Sequence, residues 1–115
     1  MAQAEPMRGE VWYVGLDPTK GREQRGRRPA LIVSANAFNR GAADLVVVLP
    51  MTTKGKGIPL HVEVNKPEGG LAATSYVMPE MVRSISIERL GKRCGSVSML
   101  TMNKVDDHLR ILLDL

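Results

Sequence analysis

Apolar positions fall in short runs cut by Gly and Pro through the first two-thirds of the chain. They switch to steps of three and four at the C-terminus. The first pattern predicts β-strands. Glu10–Leu16 is rich in β-formers and opens the series; Asp17–Gly21 starts a turn, and a basic loop runs on to Arg28. Pro29–Ser34 is a second strand, with its proline at the start, where no interior ladder bond is lost. Ala35–Asp44 reads as an irregular connection with one helical turn. Leu45–Leu49 is a continuous apolar run, expected to be buried on both faces and closed by Pro50. Met51–Gly57 is a second polar loop. In Leu60–Val64 the residues Leu60, Val62 and Val64 face one way and His61 and Glu63 the other. Asn65–Gly70 reads as a turn, and Ser75–Met78 and Met81–Ile87 as further short strands. The C-terminal pattern puts Met102, Val105, Leu109 and Leu112 on one helical face, with Ser98 or Thr101 as the N-cap.

These elements describe a mainly β (α+β) fold: a small, strongly bent antiparallel sheet, a partly open barrel, closed by one terminal helix. The chain's 115 residues suit one domain, with 7–115 as its extent and Met1–Pro6 as a frayed tail. That tail lacks the apolar core of a secretion signal, and no apolar run approaches the roughly 20 residues of a membrane span. With one cysteine, Cys94, the expectation is a cytoplasmic protein.

Charge narrows the choice of partner. Lys20, Arg22, Arg25, Arg27 and Arg28 face a single acid, Glu23, so residues 20–28 carry the whole chain's net +4. Such a patch suits a polyanion such as RNA, and it equally suits a solvated loop. No metal-ligand spacing appears: His61 and His108 are far apart in sequence, and neither has a spaced Cys or His partner. No Walker, dinucleotide or His-Glu-x-x-His fingerprint is present. Cys94 lies in Lys92-Arg-Cys-Gly95, where neighbouring cations can lower a thiol pKa, but an unreactive thiol is the expected reading.

What remains are two polar loops flanking buried strands, one ending in Arg27-Arg-Pro29 and the other beginning Pro50-Met-Thr-Thr-Lys54. An antiparallel pair sets the start of one strand beside the end of its neighbour, which lets Arg28 and Thr52 converge on rigid strand ends. A surface ion pair for Arg28 and a strand-end cap for Thr52 are the structural alternatives. Gly9-Glu-Val-Trp12, Asp17-Pro-Thr-Lys-Gly21, Glu23-Gln24, Gly26-Arg-Arg-Pro-Ala30, Pro50-Met-Thr-Thr53 and Glu80-Met-Val-Arg-Ser-Ile85 follow one another in order and at matching spacings. From Met7 to the C-terminus this series resembles the MazF/PemK family of toxins. One departure is Met81, where family members often carry glutamine.

The resemblance implies an SH3-like barrel of the CcdB/MazF kind. It also implies a homodimer and an acidic, partly disordered antitoxin whose tail covers the RNA groove. The implied activity is cofactor-free and metal-independent cleavage of single-stranded messenger RNA. Matched by motif, Arg28 is the catalytic residue and Thr52 its partner. Glu23, Gln24, Thr53, Lys56 and Glu80 are implied as RNA contacts, alongside the cations Lys20, Arg22, Arg25, Arg27 and Lys54. RNA supplies its own nucleophile, the 2′-hydroxyl, so the protein must align it and hold the charge that develops on phosphorus. Arginine as a residue type is a poor proton acceptor near neutral pH, so a clamp on the phosphate oxygens is its expected role. Only four aromatics, Trp12, Tyr13, Phe38 and Tyr76, are present, so bases are expected to be read mainly by polar loop groups. Trp12, in a strand, is expected in the core or a dimer interface. A CcdB-like topoisomerase-binding toxin, or a non-catalytic nucleic-acid-binding regulator, would leave Arg28 and Thr52 dispensable.

Overall fold

In the computed structural model, which describes residues 5–16 and 27–115, the sheet is organised around its longest strand. The strands are β1 (Glu10–Gly15), β2 (Arg27–Ile32), β3 (Leu45–Thr52), β4 (Val62–Val64), β5 (Ser75–Val77), β6 (Arg83–Ser86) and β7 (Leu90–Ser96). The helices are a single-turn α1 (Asn36–Asn39) and α2 (Met99–Leu113). The order across the sheet is β4-β5-β3-β2-β1-β7, with β6 also on β3, and every pairing is antiparallel. The sheet curls into a half-barrel, as the sequence predicts.

Two apolar clusters occupy its two faces. One joins Val11, Leu31, Leu49, Met51 and Val77 to Met102 and Val105 of α2. The other gathers Trp12, Val14, Ala30, Ile32, Val46, Val48 and Ile85. Alternate residues of β1, β2 and β3 go to opposite clusters, which is the period-two rule acting on a sheet buried on both sides. Trp12 is core, as expected.

Four sequence expectations change. First, Pro50 does not close β3, which continues to Thr52. The Pro50 carbonyl accepts from Met78 N–H at 3.0 Å. On that same edge the partner chain breaks between β5 and β6 at the 3-10 turn Pro79–Met81, so the absent N–H is lost where the ladder is already interrupted. Second, β7 is not apparent in the sequence. Its Lys, Arg and two Gly residues give no alternation, yet it pairs with β1 through two register shifts. The small residues are needed because other groups cross them: a Cβ at Gly91 would collide with the Arg27 guanidinium, and one at Gly95 would lie 2.7 Å from the Gly69 carbonyl carbon. Third, β4 begins at Val62, with Leu60 in a turn, and the 61 side chain is covered instead of facing solvent. Fourth, the apolar stripe of α2 fades in its last turn, where Leu112 is 37% exposed.

Ser98 is the N-cap of α2, accepting from Thr101 N–H at 3.1 Å. The helix is tied to the 3-10 turn Glu68–Gly70: the Glu68 carboxylate accepts from Ser98 N–H (2.9 Å) and from the Thr101 hydroxyl (2.6 Å). Arg8 bridges the other side of the helix, pairing with Asp106 while donating to the Val33 carbonyl.

Candidate active site

The β2–β3 ladder runs Ile32↔Val48, Leu31↔Leu49, Ala30↔Pro50. Carried two residues further in the same register, it sets Arg28 level with Thr52. Thr52 is in turn paired with Tyr76 of β5, and Tyr76 with Glu63 of β4. Cross-strand partners share a face, so Glu63, Tyr76, Thr52 and Arg28 form one polar row across four adjacent strands. Their sequence neighbours Met51 and Val77 belong to the cluster under α2, so the row lies on the opposite face from the helix.

The two ends of the expected pair are held differently. Thr52 is 6% exposed, and its Oγ1 accepts from Lys54 N–H at 3.2 Å. That bond fixes the hydroxyl at the point where the strand turns into the loop and leaves its hydrogen to be donated. Arg28 is exposed on β2, opposite Val14 of β1. A buried, oriented hydroxyl beside an exposed guanidinium is an arrangement that can receive a phosphate from solvent.

Beyond Thr52 the loop carries Thr53, Lys54 and Lys56, all exposed. Lys56, Gly57, Ile58, His61, Glu63 and Tyr76 line a cavity of about 190 Å³ at the far end of the row. Gly55 lies against the Tyr76 ring, where an added Cβ would come within 3.0 Å of Cζ and Oη. Glu80, at the 3-10 turn after β5, accepts from His61 Nε2 at 2.5 Å. Thus Thr52, Lys56 and Glu80 gather around one side of the sheet.

A model of the PemK-like, MazF-like toxin of type II toxin-antitoxin systems matches residues 7–113. This chain belongs to the PemK/MazF toxin family. The toxin is 36% identical to Endoribonuclease MazF9 of Mycobacterium tuberculosis, over 94% of its own length and 96% of that protein's. It is 41% identical to Endoribonuclease PemK of Escherichia coli, over 92% and 80%. Its fold matches the crystal structure of MazF from Deinococcus radiodurans with a TM-score of 0.86 at 28% identity, covering 98% of this chain and all of that one. A MazE–MazF structure from the same organism matches at 0.81, also at 28% identity, covering 98% and 99%.

Not every residue singled out in the sequence joins the row. Lys20, Arg22, Glu23, Gln24 and Arg25 lie outside the described residues. Arg27 alternates to the other face from Arg28, and its guanidinium lies over Gly91 of β7. The two histidines are separately engaged: His108 Nδ1 is bound to the Leu60 carbonyl at 2.6 Å, while the His61 ring is held by Glu80. Burial pushes the Cys94 thiol up, outweighing the Tyr13 backbone contact and Lys92, so the cations beside it in sequence do not make it a thiolate. Among the described residues no group of three or more His, Cys, Asp or Glu is placed to hold a metal ion, and no helix is long and apolar enough to cross a membrane.

Sequence reasoning did not place Tyr76 and Glu63 in the polar row. The alternation in 60–64 already put residue 63 on the polar side, but its neighbour in space depends on the β4–β5 and β5–β3 registers. No local pattern encodes those.

Proposed function

We propose that this toxin is an endoribonuclease that cuts single-stranded messenger RNA in the cytoplasm, with Arg28 and Thr52 as its catalytic pair. The observation that carries the assignment is the β2–β3 register, which, carried on past Ala30↔Pro50, brings a guanidinium and an oriented hydroxyl level on adjacent strand ends. Kinship with Endoribonuclease MazF9 and Endoribonuclease PemK supports the reaction class.

In this reaction the 2′-oxygen bonds to the adjacent phosphorus and the P–O5′ bond breaks. The 2′-hydroxyl gives up its proton and the departing 5′-oxygen gains one. The products are a 2′,3′-cyclic phosphate and a 5′-hydroxyl. The guanidinium of Arg28 grips two non-bridging oxygens through its planar fork as negative charge builds on them. Thr52 donates its hydroxyl to the same phosphate. Thr53, Lys54 and Lys56, with the basic residues Lys20, Arg22 and Arg25, hold the strand on either side. Because the nucleophile belongs to the RNA, no metal-bound water is called for.

The toxin acts as a homodimer and is silenced by an acidic antitoxin tail laid over the cationic loops; a MazE–MazF structure among its structural relatives supports the antitoxin partner. The deciding experiment is incubation of a long single-stranded RNA with the protein in EDTA. Discrete fragments bearing 5′-hydroxyl ends are expected. Intact RNA retained in a salt-sensitive complex would make the protein a binding module instead.

A further inference from the structure

The cavity at the end of the polar row contains a feature the cleavage reaction does not use. The His61 side chain is 4% exposed, and its Nε2 is committed to the Glu80 carboxylate at 2.5 Å. Its Nδ1 is buried and has no hydrogen-bond partner. A buried polar atom without a partner costs about 1–3 kcal/mol, so native structures rarely keep one unless something else satisfies it. The ring lines a cavity of about 190 Å³, together with Glu63 and Tyr76.

We infer that this cavity, built from His61, Glu63, Tyr76 and Lys56, is a nucleobase pocket that selects a base carrying an exocyclic amino group at a position flanking the cut. The inference rests on the endoribonuclease reading and specifies which residues choose the sequence. Position comes from the register: Tyr76 is the direct cross-strand partner of Thr52, and Glu63 the partner of Tyr76. A base seated there is attached to a nucleotide next to the phosphate held by Thr52. Size agrees, because pockets for drug-sized ligands run to about 300–1,000 Å³ and this one takes a smaller group.

Chemistry sets the preference. An ionised carboxylate only accepts hydrogen bonds, so Nε2 of His61 is the donor to Glu80, which holds the ring at the cavity wall. Glu63, exposed at the same wall, is an acceptor. An acceptor there calls for a base edge with donors. Adenine, cytosine and guanine have an exocyclic amino group; guanine adds an adjacent ring N–H, so that one edge meets both oxygens of a carboxylate. Uracil offers one N–H between two carbonyls, which the carboxylate repels. The Tyr76 ring supplies a stacking wall, fixed in place by the Gly55 backbone. Lys56 supplies a donor for the remaining base oxygen or the flanking phosphate.

The test compares the full-length protein with Glu63→Gln, His61→Ala and Tyr76→Phe on a randomised single-stranded RNA pool, sequencing the cleaved ends. Wild type is expected to exclude uracil at one position flanking the cut. In Glu63→Gln the discrimination against uracil there falls about tenfold or more, the size of one bidentate base contact, while preferences at other positions stay. Tyr76→Phe keeps the ring and is expected to keep the preference. Glu63 is exposed, so its variant folds even where His61→Ala does not. Identical sequence profiles for wild type and Glu63→Gln overturn the pocket. Selection of uncleaved pool members on immobilised protein separates this inference from the cleavage reading. Should wild type cut nothing, enrichment of amino-bearing bases that Glu63→Gln loses still supports the pocket, and equal enrichment by both overturns it.

Discussion

At the scale of single residues, the proposed site divides labour between a buried hydroxyl and an exposed cation. Thr52 is held by the turn it caps, so Thr52→Ser is expected to retain most activity and Thr52→Val to lose it, since valine keeps the shape without the donor. Arg28→Ala is expected to lower the cleavage rate by about 10²–10³, the typical loss when one donor to a developing oxyanion is removed. Arg28→Lys recovers little, because an ammonium has no planar fork. Single-turnover cleavage of a defined oligonucleotide measures all four, with circular dichroism as the folding control. Normal rates in Arg28→Ala and Thr52→Val would displace the site. Both residues were legible from the sequence because each sits at the junction of an apolar run and a polar loop, within a motif series. The row they join was not, since Tyr76 and Glu63 arrive from strands of three residues each.

At the scale of elements, α2 and the 3-10 turn Glu68–Gly70 act as one clasp. The Thr101 hydroxyl, with the Ser98 amide, holds the Glu68 carboxyl below its ordinary value against a smaller opposing effect of burial. A carboxyl depressed on folding stabilises the fold above its unfolded pKa, near 4.5, and the benefit is lost as pH falls through the folded value. Glu68→Gln is therefore expected to melt lower than wild type at pH 7, with the difference shrinking below about pH 4; thermal melts across that range check it. Ser98→Ala removes the N-cap of the same helix and should cost about 1 kcal/mol in urea unfolding. The turn itself is glycine for steric reasons. Gly70 has φ +71, and a Cβ there would run into the Cys94 carbonyl of β7, so Gly70→Ala is expected to cost about 3 kcal/mol or more. The helix and its Ser98 cap were readable from periodicity. The clasp and β7 were not, because β7 is specified by what packs across its glycines, and that leaves no alternation in its own sequence.

At the scale of the whole molecule, the half-barrel keeps its helix and its polar row on opposite faces, so the Glu68 clasp and the proposed RNA-facing row are separate. That separation predicts that clasp and site substitutions act independently: adding Glu68→Gln to Arg28→Ala should sum their effects on stability, within about 0.5 kcal/mol by denaturant titration. Net charge is +4, concentrated in residues 20–28. RNA affinity should therefore fall steeply with added salt, and neutralising Arg22 and Arg25 should flatten that slope, as measured by anisotropy with a 2′-deoxy analogue of the cut site. The mainly β class and the bent sheet followed from strand length and Gly/Pro punctuation. Strand order and the break in the β3 edge at Pro50 depend on contacts distant in sequence.

The row also determines how the chain can be divided. Arg28 precedes the exposed connection 41–43, and Thr52, Glu63 and Tyr76 all follow it. A chain severed there yields two harmless pieces, neither owning both halves of the phosphate grip. Toxicity would then return only when the pieces meet and β2 zips onto β3, which makes cell killing a readout of two fragments finding each other.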